Sequence, residues 1–454
     1  MKRHFAKVVG TIVALSMIFS LVPCGQAWAD GASSLYYEDI LIPFEEMDAI
    51  ISEDVANGFP SAQLAIMHHG NLIYSKAWGS AKLYNSYGVP LSERDRIPAT
   101  TQTLYDIGGT TEIFTAWYVA MKLISEGKLD FGTRIVDILG EDFVESTIGQ
   151  KWIGMEAETM DIELIKNWKR VLTVADLLKN TSGFPAGPNF HKQFITTANG
   201  ELMRNAFYNA SGSREESLQL IKMMPLEVEP GTRVAPSDVD AVLLTFVVEA
   251  IIGERIDEYL ARFWQELDPT LRITYNPLAN GYTMQECAAT EVSGNTRFGM
   301  VDFYGARTDV LQGTVHDETA YYGMEGVSGN AGLFANAESL AKLLTTFINP
   351  ESGIFSDEVK AKMFEKMDGA NTSMAWYIWS DEQGYVKELW LNSFTRCYVG
   401  VLPAADTVVV YLTNTIHSPI AFTSEKFTEH DLAHAKFSGS MYSASNSAVL
   451  YRQE

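Results

Sequence analysis

A short turn holds the residues of this chain whose types and spacing could do chemistry. Residues 104–115 read LYDIGGTTEIFT, so the hydroxyls of Thr110 and Thr111 precede the carboxylate of Glu112 at the start of a predicted helix. A hydroxyl beside a base can act as a nucleophile, and a carboxylate can act as a general acid or base. Hydroxyls and carboxylates here can also cap the helix by binding its free N–H groups. Since this stretch has no lysine or histidine to deprotonate a threonine, the sequence favours capping.

Ser237 and Asp238 form a second candidate pair. They open an apolar segment that predicts a helix over 238–252. Ser237 is then either the N-cap of this helix or, together with Asp238, part of a ligand site. The sequence leaves both interpretations open. Ser182, in a Thr-Ser-Gly turn, is interpreted as structural.

A third pattern, His430-Asp431-Leu432-Ala433-His434, imitates the His-Glu-x-x-His zinc helix. It has aspartate in place of the glutamate, lies in a polar tail and lacks a clear third ligand. We therefore predict no metal site and no cofactor. Cys287 and Cys397 are too few for a metal cluster or a disulfide framework, and either a single bridge or two buried free thiols fits the sequence.

Composition limits the partners. The chain has 454 residues, of which 46% are hydrophobic, enough for one large domain or two closely packed ones. Its net charge of −23 repels nucleic acid and anionic lipid, so neither is expected as a partner.

The N-terminus has the features of a secretory signal peptide over residues 1–29. Three basic residues precede an apolar run over 8–22, and Ala27-Trp28-Ala29 offers a cleavage site before Asp30. The run is short for a membrane span, and no later run is long enough, so no stable transmembrane anchor is expected. Lipoprotein processing at Cys24 is disfavoured, because Pro23 stands where a small residue is needed. The sequence therefore predicts an exported protein.

The apolar periodicity predicts an α+β fold. Helices are expected over 42–55, 110–126, 173–178, 238–252 and 337–348, and paired strands over 61–67 with 71–77 and over 397–402 with 407–413. Strand pairs at both chain ends predict one antiparallel sheet that both ends form, flanked by helices, with the central helices in a second lobe. We expect a loose lead-in over 30–40, one domain over 41–420 and a polar tail over 421–454.

A series of short motifs follows in order between about residues 40 and 420. They are GFP at 58–60, AQLAI at 62–66, LYDI at 104–107, SEGKLD at 125–130, TVADLL at 173–178, TSGFP at 181–185, PGT at 230–232, SDVD at 237–240, VHDE at 315–318, SGNAGLF at 328–334 and LTN at 412–414. Together they resemble the β-lactamase-related serine hydrolase superfamily, in particular class C β-lactamases and low-molecular-weight penicillin-binding proteins of the penicillin-binding protein 4B-like branch. The resemblance implies a β-lactamase/transpeptidase-like fold.

The chemical positions depart from that family. Its members transfer acyl groups with a serine at this helix start, a lysine three residues on and a tyrosine from a second loop. The resemblance puts Gly109 in the serine position, Glu112 in the lysine position and Pro236 in the tyrosine position. A nucleophile, its base and its assistant are therefore missing together.

The remaining family motifs are altered as well. The His/Lys-Thr-Gly strand aligns with Leu391-Asn392-Ser393, followed by Phe394-Thr395-Arg396, and two outer histidine positions hold Asn180 and Asn330. Altered positions inside a matching framework indicate lost chemistry. If the cleft is retained, its ligand-binding candidates are Thr110, Ser237, Asp238, Asn392 and Thr395.

Three functions follow from these observations. The first is an inactive relative of bacterial cell-envelope enzymes that binds a cell-wall peptide or a protein partner. The second is an active esterase, D-Ala carboxypeptidase or β-lactamase-like enzyme with non-standard catalytic residues. The third is a structural envelope protein, for which Glu112, Pro236, Trp390 and Leu391 would pack together and fill the cleft.

Overall fold

The computed structural model describes residues 41–148, 161–196, 200–367 and 369–419, apart from 381, 383 and 385. The predicted signal peptide, Cys24, the lead-in, the tail and the His430–His434 pattern lie outside the described residues. The α-helices are α1 Leu41–Ala56, α2 Ala116–Ser125, α3 Ile135–Leu139, α4 Asp142–Glu145, α5 Ile162–Val171, α6 Val174–Leu178, α7 Arg214–Met223, α8 Asp238–Ile252, α9 Ile256–Leu267, α10 Glu318–Gly323, α11 Ala337–Ile348 and α12 Asp357–Phe364.

The strands are β1 Ser61–His68, β2 Asn71–Lys82, β3 Ile97–Pro98, β4 Tyr105–Asp106, β5 Phe194–Thr196, β6 Leu202–Arg204, β7 Ile273–Tyr275, β8 Leu333–Ala335, β9 Tyr377–Ser380, β10 Val386–Asn392, β11 Tyr398–Leu402 and β12 Thr407–Thr413. The main sheet has the antiparallel order β3-β2-β1-β12-β11-β10-β9. Pairing of β1 with β12, in which Leu64 lies opposite Tyr411, joins the two ends of the chain. The predicted α+β fold with one sheet built by both chain ends is confirmed.

Strand β1 is buried on both faces because helices cover the sheet from two sides. Leu64 and Ile66 pack in one apolar cluster with Ile51 of α1. Ala65 and Met67 point the other way into the large core, which also contains residues of α11. This alternation follows from the two-residue repeat of a strand. The sheet is thus the middle layer between α1 and the helical part of the molecule.

Helix α8 is the centre of the helical lobe, and its predicted bounds are confirmed. The Ser237 hydroxyl caps its start by accepting a hydrogen bond from the Val239 N–H at 3.1 Å. Gly253 ends it in the left-handed conformation, at φ +77°. Between the two caps, residues 239–248 are all buried.

The helix predicted over 110–126 is wrong in its first part. Residues Gly108–Phe114 form a 3₁₀ helix, and α2 begins only at Ala116. The break lies at Thr115, whose backbone has φ −125° and ψ −105° and whose hydroxyl donates to the Thr111 carbonyl. Such local bonds from side chain to backbone compete with the α-helical pattern. The apolar period does not reveal them, because buried residues continue through both helices.

Candidate functional site

The turn at the start of the 3₁₀ helix is fixed by Asp106 and Gly108. The Asp106 carboxylate, at the end of β4, accepts a hydrogen bond from the Gly108 N–H at 2.9 Å. Gly108 has φ +53°, and a Cβ atom there would come within 2.9 Å of the Thr395 hydroxyl and 3.1 Å of Ser393 Cβ. Only glycine suits this place. The close approach brings the residues that align with the family's third motif beside the turn.

Gly109, in contrast, has room for a side chain. It is exposed, its backbone is not left-handed, and a Cβ atom there would meet nothing within 4 Å. In a 3₁₀ helix, residues three apart lie above one another on the same side. Glu112 therefore stands one turn from Gly109 and faces the same way.

The two threonines are held in the structure by their own hydrogen bonds. Thr110 is fully buried, and its hydroxyl donates to the Ile107 carbonyl at 2.7 Å. Thr111 is also fully buried and accepts from the Leu333 N–H at 3.3 Å. The prediction that these residues cap the helix is wrong, since neither binds an N–H of its own first turn. The geometry does not support Thr110 as a nucleophile or as a ligand-binding residue, because its hydroxyl is buried and already donates to the Ile107 carbonyl.

Glu112 lies partly buried, opposite a second carboxyl group. The α-helix begins four residues later, so Glu112 does not stabilise its N-terminus as the sequence suggested. Burial raises the pKa of Glu112 to about 8, and repulsion from Asp238 acts in the same direction. Among the described residues, no group donates a hydrogen bond to the Glu112 carboxylate. The position that the resemblance assigns to the family's lysine is therefore taken by an acid whose raised pKa favours its protonated form near neutral pH.

Asp238, at the start of α8, continues this acidic surface toward α10. Part of its side chain is exposed, but protein surrounds the carboxyl and reduces its hydration, which raises its pKa. The Asp317 carboxylate adds repulsion. Asn330 lies between the two groups and donates to Asp317 at 3.2 Å while it accepts from the Ser328 hydroxyl at 2.6 Å. Asn330, which the resemblance puts in an outer histidine position, thus bonds to both carboxyl groups.

Asp240 lies behind the same surface, two residues after Asp238 in α8. It is fully buried, and one of its oxygens accepts a hydrogen bond from the Ser182 hydroxyl. Its other oxygen has no partner among the described residues. Burial raises the pKa of Asp240 well above its usual range, and the Glu112 carboxyl adds to the effect. The sequence does not predict a site role for Asp240, although the motif at 237–240 contains it. The signal that could have found it is an acidic residue inside an otherwise apolar helix.

Hydrogen bonds fix the residues that the resemblance assigns to the second motif, where Pro236 stands in the tyrosine position. The Ser237 hydroxyl donates to the Pro185 carbonyl at 2.6 Å and caps α8, so the structural interpretation is confirmed. Pro236 is exposed beside it. Asn180, in the other histidine position, accepts from the Ser237 N–H at 3.4 Å. Ser182 is structural as predicted, since it also accepts from the Phe184 N–H.

The third motif lies at the end of β10 and in the turn that follows. The Ser393 and Thr395 hydroxyls are 2.8 Å apart and are buried against Gly108. Leu391 belongs to the large core, whereas Trp390 points to the opposite face of the sheet and stacks on Tyr377 at 4.7 Å. The side chains that would fill the cleft therefore do not pack together, and Asn392 stays partly exposed at the strand end.

A network of buried charged residues packs behind the turn and contacts it through Asp106. Most of its members have no signal in the sequence. The His316 N–H donates to Asp106 at 2.6 Å, while its imidazole bonds to Glu291. Burial opposes a charge on His316, but Glu291 outweighs this effect and raises the pKa of His316.

Arg297 donates to Glu318 at 2.6 Å and lies 3.6 Å from Glu291. Burial favours neutral Glu318, but Arg297 and His316 lower its pKa to about 2. The motif VHDE signalled His316 and Glu318, whereas Glu291 and Arg297 stand in a loop without periodicity.

Several other features bear on function. Within the described ranges, no three His, Cys, Asp or Glu side chains are placed to hold a metal ion, and no helix is long and apolar enough to cross a membrane. Cys287 and Cys397 are buried free thiols. A cavity of about 390 Å³ lies between α9 and β7; Glu258, Trp264 and Asn280 are among its lining residues. No residue of the Gly108–Phe114 helix lines it.

Comparison with known proteins gives the same family at the level of sequence. The Beta-lactamase family model matches residues 47–431. A protein of Escherichia coli strain K12 named "Putative D-alanyl-D-alanine carboxypeptidase" is 34% identical over 395 residues, which cover 83% of each chain. A protein of the same name from Salmonella typhimurium strain LT2 is 30% identical over 392 residues, again 83% of each chain.

Solved structures give the same fold. A penicillin-binding protein homologue from Pyrococcus abyssi superposes with a TM-score of 0.57 at 20% identity, over 87% of this chain and 77% of the other. A penicillin-binding protein from Bacillus halodurans reaches 0.55 at 15% identity, over 86% and 98%. A class C β-lactamase reaches 0.54 at 12% identity, over 91% and 99%. The predicted resemblance and fold are confirmed.

Proposed function

The chain belongs to the β-lactamase family, and from that premise we propose that it is an exported, catalytically inactive member that acts by binding a ligand. The observation that carries the proposal is the pair of positions 109 and 112. Gly109 leaves the nucleophile position empty yet open, and the partly buried Glu112 stands where the family has its lysine. Removing the nucleophile of a serine enzyme costs on the order of 10⁶ in kcat. Here the base and the tyrosine are absent too.

Exposed residues around the turn support a binding role. Gly109, Pro236 and Asp238 are exposed, while Trp390 and Leu391 pack elsewhere. A purely structural envelope protein, with its cleft closed by side chains, fits this arrangement less well. The relatives' name points to peptides that end in D-alanine, so a cell-wall peptide is the first ligand class to test, with a protein partner as the alternative.

Incubation of the purified chain with a fluorescent penicillin and with a fluorophosphonate tests the loss of chemistry. We expect no covalent labelling above background, because no hydroxyl is exposed at the helix start. An active family member treated in parallel is the positive control. Labelling near one mole per mole of chain would overturn the proposal.

The raised pKa of Glu112 favours one second candidate, an enzyme that uses carboxyl groups. A carboxyl that titrates at about 8 is suited to proton transfer near neutral pH. Such an enzyme would turn over esters or D-Ala peptides and would lose this activity on Glu112→Gln. If a broad panel shows no turnover above buffer, the binding role stands.

Export is the remaining part of the proposal. We place a signal peptide at 1–29, a lead-in at 30–40, the family domain at 41–420 and a polar tail at 421–454. The Ala27-Trp28-Ala29 cleavage pattern before Asp30 supports export. The amino-terminal sequence of the exported chain is expected to begin at Asp30. Retention of Met1, or lipid on Cys24, would contradict this assignment.

A further inference from the structure

Two segments of the chain have almost the same sequence but lie in different surroundings. Residues 55–59 read VANGF and residues 278–282 read LANGY, so each places an asparagine directly before a glycine. In such a pair the backbone nitrogen of the glycine can attack the side-chain amide of the asparagine, because glycine has no Cβ atom to obstruct the approach. The shared sequence gives both pairs a similar intrinsic reactivity. A difference in their rates therefore has to come from the fold.

The pair Asn57-Gly58 is held at the end of α1. The Gly58 N–H donates to the Val55 carbonyl at 3.1 Å, and the Gly58 carbonyl accepts from the Tyr84 hydroxyl at 3.0 Å. Phe59, which follows, is only 1% exposed. The nitrogen that would attack is thus engaged in a hydrogen bond, and the residue after it is fixed in an apolar cluster.

The pair Asn280-Gly281 lies in an exposed turn after β7. Both residues are exposed, and a Cβ atom on Gly281 would meet nothing within 4 Å. Among the described residues, no acceptor binds the Gly281 N–H. The nitrogen of Gly281 is therefore available for attack, whereas that of Gly58 is not.

Two other features are common to the pairs and do not distinguish them. Both glycines have a left-handed backbone, with φ +97° at Gly58 and +86° at Gly281. Both asparagine side chains donate to a backbone carbonyl, Asn57 to that of Glu53 at 2.9 Å and Asn280 to that of Tyr275 at 2.7 Å. The hydrogen bond of the glycine N–H and the packing of the next residue remain as the differences.

We propose that Asn280 is a site of spontaneous deamidation. The Gly281 nitrogen gives up its proton to water and bonds to Asn280 Cγ, while the bond from Cγ to Nδ2 breaks and the amide nitrogen leaves as ammonia. Water then adds to one of the two carbonyls of the resulting succinimide ring. The ring opens to aspartate or to isoaspartate, depending on which carbonyl is attacked. Water is the co-reactant, and no oxidation or reduction takes place.

The modification changes the cavity between α9 and β7, because Asn280 lines it. The lining of this cavity of about 390 Å³ already includes Asp257, Glu258 and Asp268. Deamidation adds a further carboxylate to the wall and removes the amide that donates to the Tyr275 carbonyl. Isoaspartate also lengthens the backbone by one carbon atom. Both products therefore loosen the turn and make the cavity more acidic.

Incubation of the purified full chain in mildly alkaline buffer, followed by peptide mapping with tandem mass spectrometry, tests the proposal. In the folded chain we expect Asn280 to lose its amide at least about fivefold faster than Asn57, because the hydrogen bond of the Gly58 N–H must break before attack. In denaturant the two sites should react at equal rates, since their sequences are almost the same. The pair at 199–200, of which Asn199 lies outside the described residues, gives a separate peptide.

Asn280→Gln is the decisive variant, because glutamine keeps the amide donor but closes the larger ring much more slowly. It should remove the fast phase of isoaspartate formation, counted by methylation with a protein isoaspartyl methyltransferase. Asn57→Gln is the matched control and should leave that phase intact. Equal rates at the two sites in the folded chain would overturn the proposal, as would a fast phase that survives Asn280→Gln or reaction at Asn280 only after denaturation.

Discussion

The triple substitution Gly109→Ser, Glu112→Lys and Pro236→Tyr is expected to make the chain react covalently with a fluorescent penicillin. The substitutions supply a nucleophile, its base and the assisting tyrosine at the three positions that the family resemblance assigns. Since loss of the nucleophile alone costs on the order of 10⁶ in rate, we expect acylation at least about 10³-fold faster than for the unchanged chain. We do not expect the full rate of an active family member, because the third motif and the two histidine positions are not restored.

The structure explains why the three side chains should be tolerated. A Cβ atom at position 109 meets nothing within 4 Å, and its backbone is not left-handed. A lysine at position 112 would replace a carboxyl that repels Asp238 by an ammonium that attracts it. Pro236 is exposed, so a larger ring can point into solvent or across the cleft. Gly108 must stay, because a Cβ atom there would contact Thr395 and Ser393 too closely.

Covalent labelling per mole of chain, followed over time, is the measurement. The matched control carries Gly109→Ala with the same two other substitutions; it has the same charge and nearly the same volume but no hydroxyl, and it should stay unlabelled. Gly109→Ser alone should also stay unlabelled, because Glu112 keeps its proton near neutral pH and is a poor base there. A triple variant that melts within a few degrees of the parent and still fails to react would show that the loss of chemistry extends beyond these positions.

The sequence predicts the scaffold well and the charge environment poorly. The bounds of α8 and the pairing of β11 with β12 follow from apolar periodicity and from caps such as Ser237 and Gly253, which act over a few residues. The resemblance puts Gly109 in the serine position because Gly109 closely follows the LYDI motif at 104–107. The predicted capping role of Glu112 is wrong, because capping depends on where the α-helix begins, and the hydrogen bond of the Thr115 hydroxyl displaces that start to Ala116.

Long-range contacts account for the rest of the site. Asp240 and Ser182 are 58 positions apart, and His316 reaches Asp106 across 210 positions. No local pattern encodes such pairs, so a single sequence does not place the carboxyl groups of Asp238, Asp240 and Asp317 near Glu112. The shifted pKa values follow from that assembly, since each depends on neighbours from another element.

Arg297→Met is expected to destabilise the protein by about 3–5 kcal/mol, because it leaves buried carboxylates without their cation. Arg297 is 5% exposed and Glu291 is fully buried. The guanidinium donates to Glu318 at 2.6 Å and to the Asn295 carbonyl at 2.8 Å, and it lies 5.6 Å from the centre of the Phe394 ring. Methionine keeps most of the length but none of the donors. For a chain of this size the loss corresponds to a melting temperature lower by about 3–6 °C.

The dependence on pH has a defined sign. Arg297 and His316 lower the pKa of Glu318 to about 2, below its unfolded value of about 4.3. The stability that ionised Glu318 contributes is therefore present above pH 4.3 and is lost as the pH falls toward 2. The difference in unfolding free energy between the parent chain and Arg297→Met should therefore shrink in acid. The pKa of His316 is raised, so its contribution is present below about pH 6.5 and is lost as the pH rises through its folded value. Arg297 opposes the positive charge on His316. Removal of Arg297 therefore favours charged His316, which offsets a small part of the lost stability near neutral pH.

Thermal unfolding of Arg297→Met beside Arg255→Met separates a buried arginine from an exposed one. Arg255 is 38% exposed and pairs with Asp257 and Glu325, so its loss should cost less than about 1 kcal/mol. Adding Glu318→Gln to Arg297→Met should cost less than Glu318→Gln does alone, because the carboxylate has already lost its partner. Equal losses of unfolding free energy for the two arginine variants would contradict a role of the network in holding His316 in place. Asp106 depends on that position, because it accepts a hydrogen bond from the His316 backbone N–H. If the losses differ as expected, charges buried behind the turn at Gly109 help to hold its shape.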